Sequence, residues 1–323
     1  MRSRDWVRAG LREGAYEALA RDLPASRLWS LLLDIIEARA AARTPGALME
    51  QRERDRFVQP AATDQRTFHE IDRYLLAAAS GFEAIELSPI APLGVCSLLA
   101  RTSQNRVLSA LRGTEIVSDP TNVMALECAR RLRRDWNVPV RLCTSHRCVR
   151  AQEVPDRPGH AAHFRIFCLA TAGLERRDHG FLIDSMAEHI AVMLDALDRL
   201  DAHGFRIRKR RLMLLTTERR REVGDRIVQA LGSREEAARG VLDHAYYDGG
   251  LRYQIAVRAR GGEEVPLIDG GTFEWVAKLT SNRRAVFVAS GLATQLLPPL
   301  FRGSRDHEGT KTDGAHGGDG GID

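Results

Sequence analysis

Residues 138–172 read VPVRLCTSHRCVRAQEVPDRPGHAAHFRIFCLATA, and the fold is decided there. An extended run, VRLCTSHRCVRA, leads into a polar turn region with Pro155, Asp156, Pro158 and Gly159. A second extended run, HFRIFCLA, follows. Proline and glycine between two runs rich in β-branched and aromatic residues predict antiparallel strands joined by a long loop. Alternation places His146, Cys148 and Arg150 on one face of the first strand and Arg147 and Val149 on the other. An arginine directed onto a sheet floor is costly unless an anionic group meets it, so this hairpin is expected to be a ligand platform.

Working outward, the bounds are broad. A chain of 323 residues with 44% apolar residues fits one large domain, or one with a small appendage, and has ample material for a core. No apolar run approaches a membrane span, and MRSRDWVRAG lacks the core of a signal peptide, so a cytoplasmic protein is expected, with no membrane partner. The net charge is +5 and the pI about 9.2, a small surplus beside 48 basic and 43 acidic residues. Charge alone does not decide for nucleic acid. The five cysteines, Cys96, Cys128, Cys143, Cys148 and Cys168, suit reduced thiols. Zinc is disfavoured because alternation puts Cys143 and His146 on opposite faces of one strand.

Three divisions are expected: an N-terminal helical extension over 1–60, a core over 61–302 and a disordered tail over 303–323, which is poor in apolar residues and rich in glycine. In the extension, Pro24 suits the first turn of a helix striped by Leu28, Leu31, Leu32, Ile35 and Ile36. It reads equally as a packing appendage or a partner-binding arm. A second helix, from Thr63 to Ala79, carries Phe68, Ile71, Leu75 and Ala78 on one face, and a strand from Gly81 to Pro89 follows. At Val117–Asn122 the residues Asp119, Thr121 and Asn122 read either as a helix N-cap or as a polar pocket wall. A helix from Asp184 to His203 is expected to open on a capping box of Ser185 and Glu188. The basic stretch from Arg206 to Arg221 has no interleaved aromatics and reads better as a solvated face than as an RNA-binding surface.

With these pieces in order, the chain resembles the catalytic core of the class II aminoacyl-tRNA synthetases. The hairpin is similar to their motif 2, in which Phe-Arg-x-Glu, a loop and a strand centred on Phe correspond to Val149-Arg150-Ala151-Gln152 and Phe164. The helix, Gly81, strand and Pro89 look like motif 1, which implies a homodimer. Leu242-Asp243-His244-Ala245-Tyr246-Tyr247 and Asp269-Gly270-Gly271, followed by Ala285–Val288 and Gly291, look like the histidyl branch. That branch includes the regulatory subunit of ATP phosphoribosyltransferase, which does no aminoacylation. The resemblance implies an α+β fold: an antiparallel sheet of about six strands flanked by helices.

The resemblance also assigns candidate residues. Arg150 stands where the family binds the α-phosphate of ATP, a role suited to a planar guanidinium. Gln152 replaces the family's glutamate. Arg157 and His160 in the loop are placed to reach a phosphate, Asp119 and Thr121 to line an amino-acid pocket, and Tyr246 and Tyr247 to wall it. The motif 3 arginine, which holds the γ-phosphate in the family, should stand near Thr294 or Gln295, and neither carries a charge. Arg283 and Arg284 precede the strand and are expected to point away.

The leading expectation is therefore a non-aminoacylating paralogue that binds a small amino-acid-like or nucleotide ligand and regulates or assists a partner enzyme. The alternative is a free-standing ligase that uses ATP and Mg²⁺ to activate an amino acid for a small acceptor or carrier protein. In that reading Arg150, Arg157 and His160 clamp ATP, while Asp119 and Tyr247 hold the amino group.

Overall fold

The computed structural model describes residues 10–155, 157–232 and 236–302. The expected tail over 303–323 lies outside the described residues. In chain order the elements are α1 (Ala25–Ala41), α2 (Pro45–Arg54), α3 (Gln65–Ala78), β1 (Glu83–Ala84), β2 (Ile90–Pro92), α4 (Val95–Leu99), β3 (Ser109–Ala110), β4 (Thr114–Ile116) and α5 (Pro120–Leu132). The hairpin β5 (Val140–Val149) and β6 (His163–Leu174) precedes α6 (Gly180–Ala202), β7 (Arg210–Thr216), α7 (Arg221–Leu231) and β8 (Ala237–Val241). The chain closes with β9 (Leu251–Arg258), β10 (Glu264–Phe273), α8 (Trp275–Thr280), β11 (Ala285–Leu292) and α9 (Leu297–Phe301).

The main sheet has eight strands in the order β1-β5-β6-β11-β10-β9-β7-β8. The six inner strands are mutually antiparallel, as expected, while the edges β1 and β8 pair in parallel with β5 and β7. The sheet separates two cores. On one face α3 and α6 bring Phe68, Ile71, Leu75, Met186, Ile190 and Leu197 against Tyr253 and Val288. On the other, α5 and α8 bring Met124, Cys128, Leu132 and Trp275 against Leu142, Cys168 and Phe287. Helix α6 is apolar on several sides because it lies between the sheet and both α3 and α7. Each such fully buried large apolar side chain contributes roughly 1.5–3 kcal/mol.

Alternation along β5 holds. Cys148 packs toward α5, whereas Arg147 crosses to the α3 face and lies over Phe68. Cys143 falls in the α6 core and Cys148 and Cys168 in the α5 core, so these thiols are split between two layers. All five cysteines are buried and free.

Two expectations need correction. The segment after Gly81 pairs as a strand only at Glu83–Ala84. Helix α6 begins four residues early, and Ser185 is no cap: its hydroxyl donates to Phe181 O inside the helix at 2.7 Å. The carboxylate of Glu175 takes that role from outside, accepting from Phe181 N and Leu182 N at 3.1 and 3.3 Å. Of the stripe on α1, Leu31, Ile35 and Ile36 are exposed, and Trp29 lies against Gly113. Among the described residues no helix is long and apolar enough to cross a membrane.

Candidate functional site

Between α4, the N-terminus of α5 and the α5 face of the sheet lies a cavity of about 410 Å³. Its floor is Ile166 and Cys168 of β6 with Ala289 and Gly291 of β11. Its walls come from Arg106, Asp119, Arg150, Tyr246, Tyr247 and Asp269. A break in register between Pro266 and Ile268 lies at its mouth, where proline's missing N–H is tolerated.

Asp119 caps α5 and walls the cavity at once. Its Oδ1 accepts from the backbone N–H and the hydroxyl of Thr121 at 3.0 and 2.7 Å. Its Oδ2 accepts from the Tyr246 hydroxyl at 3.1 Å and lies 3.5 Å from Arg150 Nη2. Asp119 thus caps α5 and, with Thr121 and Asn122, also lines the cavity. Burial, with Asp119 beside it, pushes the Tyr246 hydroxyl well above its usual pKa, so it stays a donor.

Arg150 follows the last residue of β5. Its Nε donates to Ser118 O at 2.9 Å, and the guanidinium sits 5.0 Å over the Phe164 ring. Stacking and the single carbonyl contact fix its plane while leaving N–H groups for an anion. Arg106, exposed at the rim, adds a second guanidinium that has no carboxylate partner among the described residues.

Opposite, Asp269 accepts from Tyr247 Oη at 2.6 Å and from Arg252 Nε and Nη2 at 2.9 and 2.6 Å. Burial, with Asp269 beside it, raises the Tyr247 pKa, and the ring meets Tyr246 edge-on at 5.1 Å. Asn122 is 1% exposed and borders the cavity, yet neither atom of its amide has a protein partner. A buried amide left unpaired is costly, so Asn122 offers the cavity a donor and an acceptor.

Six sequence candidates thus converge: Asp119, Thr121, Arg150, Gln152, Tyr246 and Tyr247. Arg157 and His160 do not line this cavity. Both are exposed in the β5–β6 loop, and His160 borders a neighbouring cleft of about 160 Å³ with Gln152 and Gln295. Arg106 and Asp269 are not singled out as ligand residues by the sequence, and Asn122 only as part of a cap or pocket wall. For Arg106 no local pattern announces its proximity, whereas Asp269 sits beside a glycine pair that the sequence does display.

Thr294 and Gln295 are 0% and 5% exposed and lie outside the lining. Thr294 donates to Arg165 O at 2.8 Å. Arg284 reaches back to Glu175 O, and Arg283 lines clefts at the far end of the sheet, so neither fills the missing arginine's place. Arg165 and His163, on β6, are both engaged by other side chains or backbone. Arg165 pairs with buried Asp72 at 2.8 Å, and His163 bridges Arg147 and Gln59 O. In the basic stretch, Arg210, Arg211 and Arg221 pair with Asp198, Glu264 and Glu218.

The arrangement of sheet, hairpin and flanking helices matches that of solved synthetases. The chain carries the class II aminoacyl-tRNA synthetase core fold. It is similar to an ATP phosphoribosyltransferase regulatory subunit/histidyl-tRNA synthetase from Bacillus halodurans C, with 15% identity, 74% of this chain and 81% of that chain covered, and a TM-score of 0.56. Histidyl-tRNA synthetase of S. aureus aligns at 12% identity over 74% of this chain and 67% of its own, with a TM-score of 0.56. A histidine–tRNA ligase subunit from Alicyclobacillus acidocaldarius aligns at 13% over 72% and 94%, with a TM-score of 0.51. No family model matches the chain, and no curated protein matches it by sequence.

Of the positions at which the resemblance implies contacts to a triphosphate, this synthetase-like core supplies only some. The cavity offers Arg106 and Arg150, but the motif 3 position is buried and uncharged, and Arg157 and His160 stand outside the lining. Among the described residues no group of three or more His, Cys, Asp or Glu is placed to hold a metal ion.

Proposed function

We propose that the cavity binds a small ligand of amino-acid-like or nucleotide type, and that the chain uses this binding to regulate or assist a partner enzyme without aminoacyl transfer. The observation that carries this reading is the division of charge at the cavity. Asp119 lines the cavity as an acceptor for an ammonium or an amino group, and Arg150 and Arg106 line it as donors to a carboxylate or phosphate. Buried Thr294 and Gln295, where the family's motif 3 places an arginine, support binding without activation, because adenylation depends on neutralising developing phosphoryl charge. The name of the Bacillus halodurans relative joins a regulatory subunit and a synthetase, which agrees with a sensing role for the same fold.

The ligase reading is less well supported, since Arg157 and His160, the loop residues it needs to clamp ATP, do not line the cavity. Calorimetric titration with the twenty amino acids and the common nucleotides tests the proposal. The expected result is saturable binding of one ligand class, weakened about tenfold or more in Arg150→Ala. No binding by any of these compounds overturns it.

A further inference from the structure

A second polar surface lies at the opposite end of β5 and β6 from the ligand cavity. Two clefts of about 1210 and 760 Å³ adjoin there, both bordered by Glu175 and Arg283. Seven lysines and arginines and four carboxylates line the pair, an excess of three in a protein whose whole excess is five. We propose that this trough binds phosphate groups carried in a row, as on a single strand of nucleic acid.

The pairing of the charges supports this. Arg141 is held by Glu188 at 3.2 Å, Arg176 by Asp184, and Lys278 by Asp248 at 2.6 Å. Glu175 is committed to backbone N–H groups of Arg176, Phe181 and Leu182, so it neutralises the start of α6 rather than the arginines. Arg177 and Arg283 have no partner among the described residues. Arg284 and Arg220 meet no carboxylate: the first donates to Glu175 O at 3.4 Å, and the second to Gly249 O at 3.3 Å with the His179 ring beside it. Four guanidiniums are thus offered without a carboxylate. They are spread along two adjoining clefts rather than aimed at one point, which suits a row of phosphates better than a single one.

The backbone holds this arrangement at a cost. Asp178 and His179 are consecutive left-handed residues at φ 53° and 59°, a conformation that disfavours side chains, and Arg226 donates to Asp178 O to brace the turn. That turn carries Arg177 to the rim. Half-buried Trp136 borders the same cleft with one side on the α5 core, leaving a ring on which a base can stack. An acidic peptide would satisfy the guanidiniums but give Trp136 no role.

The test is fluorescence anisotropy of a labelled single-stranded RNA of roughly 12 nucleotides across a salt series, with the full chain. Binding is expected to weaken at least about tenfold in Arg177→Ala/Arg283→Ala, with the slope of log affinity against log salt reduced by about 1.4, the share of two phosphate contacts. Arg206→Ala/Arg208→Ala, in the other basic stretch, should bind like wild type, and thermal melts check that all variants fold. Tripolyphosphate as competitor separates the sources. Displacement only at concentrations far above those of unlabelled RNA identifies a nucleic-acid strand, and equal potency identifies a free phosphate compound. In the first case Trp136→Ala also weakens RNA binding. No binding of either probe, equal binding by the Arg177/Arg283 variant, or displacement by polyglutamate as readily as by RNA overturns the proposal.

Discussion

At the scale of single residues, Asp119 has two tasks, because one oxygen caps α5 while the other holds the hydroxyl of Tyr246 in the cavity wall. Asn caps a helix about as well as Asp but carries no charge. Asp119→Asn should therefore leave the melting temperature within a degree or two while lowering ligand affinity about tenfold; Asp119→Ala should also lose about 1 kcal/mol of stability. Paired calorimetry and thermal melts separate the two effects. Unchanged ligand affinity in Asp119→Asn would show that the Asp119 carboxylate carries no ligand.

His189 is fully buried, with Nδ1 at 2.8 Å from Ser290 Oγ and Nε2 at 2.9 Å from Thr171 Oγ1. Burial holds its pKa down to about 3. Because the folded value lies below the unfolded one, near 6.5, the unfolded chain binds the extra proton in between. Stability is complete above about pH 6.5 and declines as pH falls toward 3, at up to about 1.4 kcal/mol per pH unit. Burial lowers the His146 pKa as well, which adds to the decline. Urea unfolding at pH 7 and pH 5.5 should show the loss, and His189→Gln should show a smaller one. An unchanged slope in the variant would remove His189 from this account.

At the scale of elements, β10 fits its surroundings because Gly270 and Gly271 vacate space on opposite faces. A Cβ at Gly270 would meet Tyr253 and Ser290 at 2.5 Å, and one at Gly271 would meet Leu251 O at 2.4 Å and Tyr247 at 2.5 Å. Gly271→Ala should thus cost roughly 1–3 kcal/mol and displace the Tyr247 wall, weakening ligand binding; denaturant melts and titration of the same variant report both. The double glycine and the tyrosine pair were legible together in the sequence, but the reason for their spacing is the packing of Tyr247 over Gly271. The start of α6 was misread for a physical reason. Ser185 and Glu188 have the local spacing of a capping box, yet Glu175, five residues before Gly180, supplies the carboxylate once the chain turns at Asp178 and His179. Local pattern reports neighbours along a helix and is blind to a cap delivered across a turn.

At the scale of the whole molecule, alternation in β5 and apolar periodicity in α3, α6 and the hairpin were enough to imply a sheet with helices on both faces. The parallel edge strands were not visible: a pairing of two residues at β1, or the short β8 with exposed Val241, has no signature of its own. The site was legible where its residues sit in strong local patterns, as Arg150, Asp119 and the tyrosines do. It was misjudged where a loop decides, as with Arg157 and His160, because the path of the β5–β6 loop depends on packing such as that of Gly159 beside Leu296. Within the basic stretch 206–221, Arg210, Arg211 and Arg221 are paired, whereas Arg220 joins Arg177 and Arg283, distant in sequence, at the trough, a convergence that local pattern does not show.

Binding without activation is tested most directly by amino-acid-dependent exchange of pyrophosphate into ATP, measured over the twenty amino acids with wild type and Arg150→Ala. With Thr294 and Gln295 buried where the family places an arginine, no amino acid should support exchange, including any that binds in calorimetry. Exchange with one amino acid, abolished by Arg150→Ala, would contradict this and make the chain an amino-acid-activating enzyme.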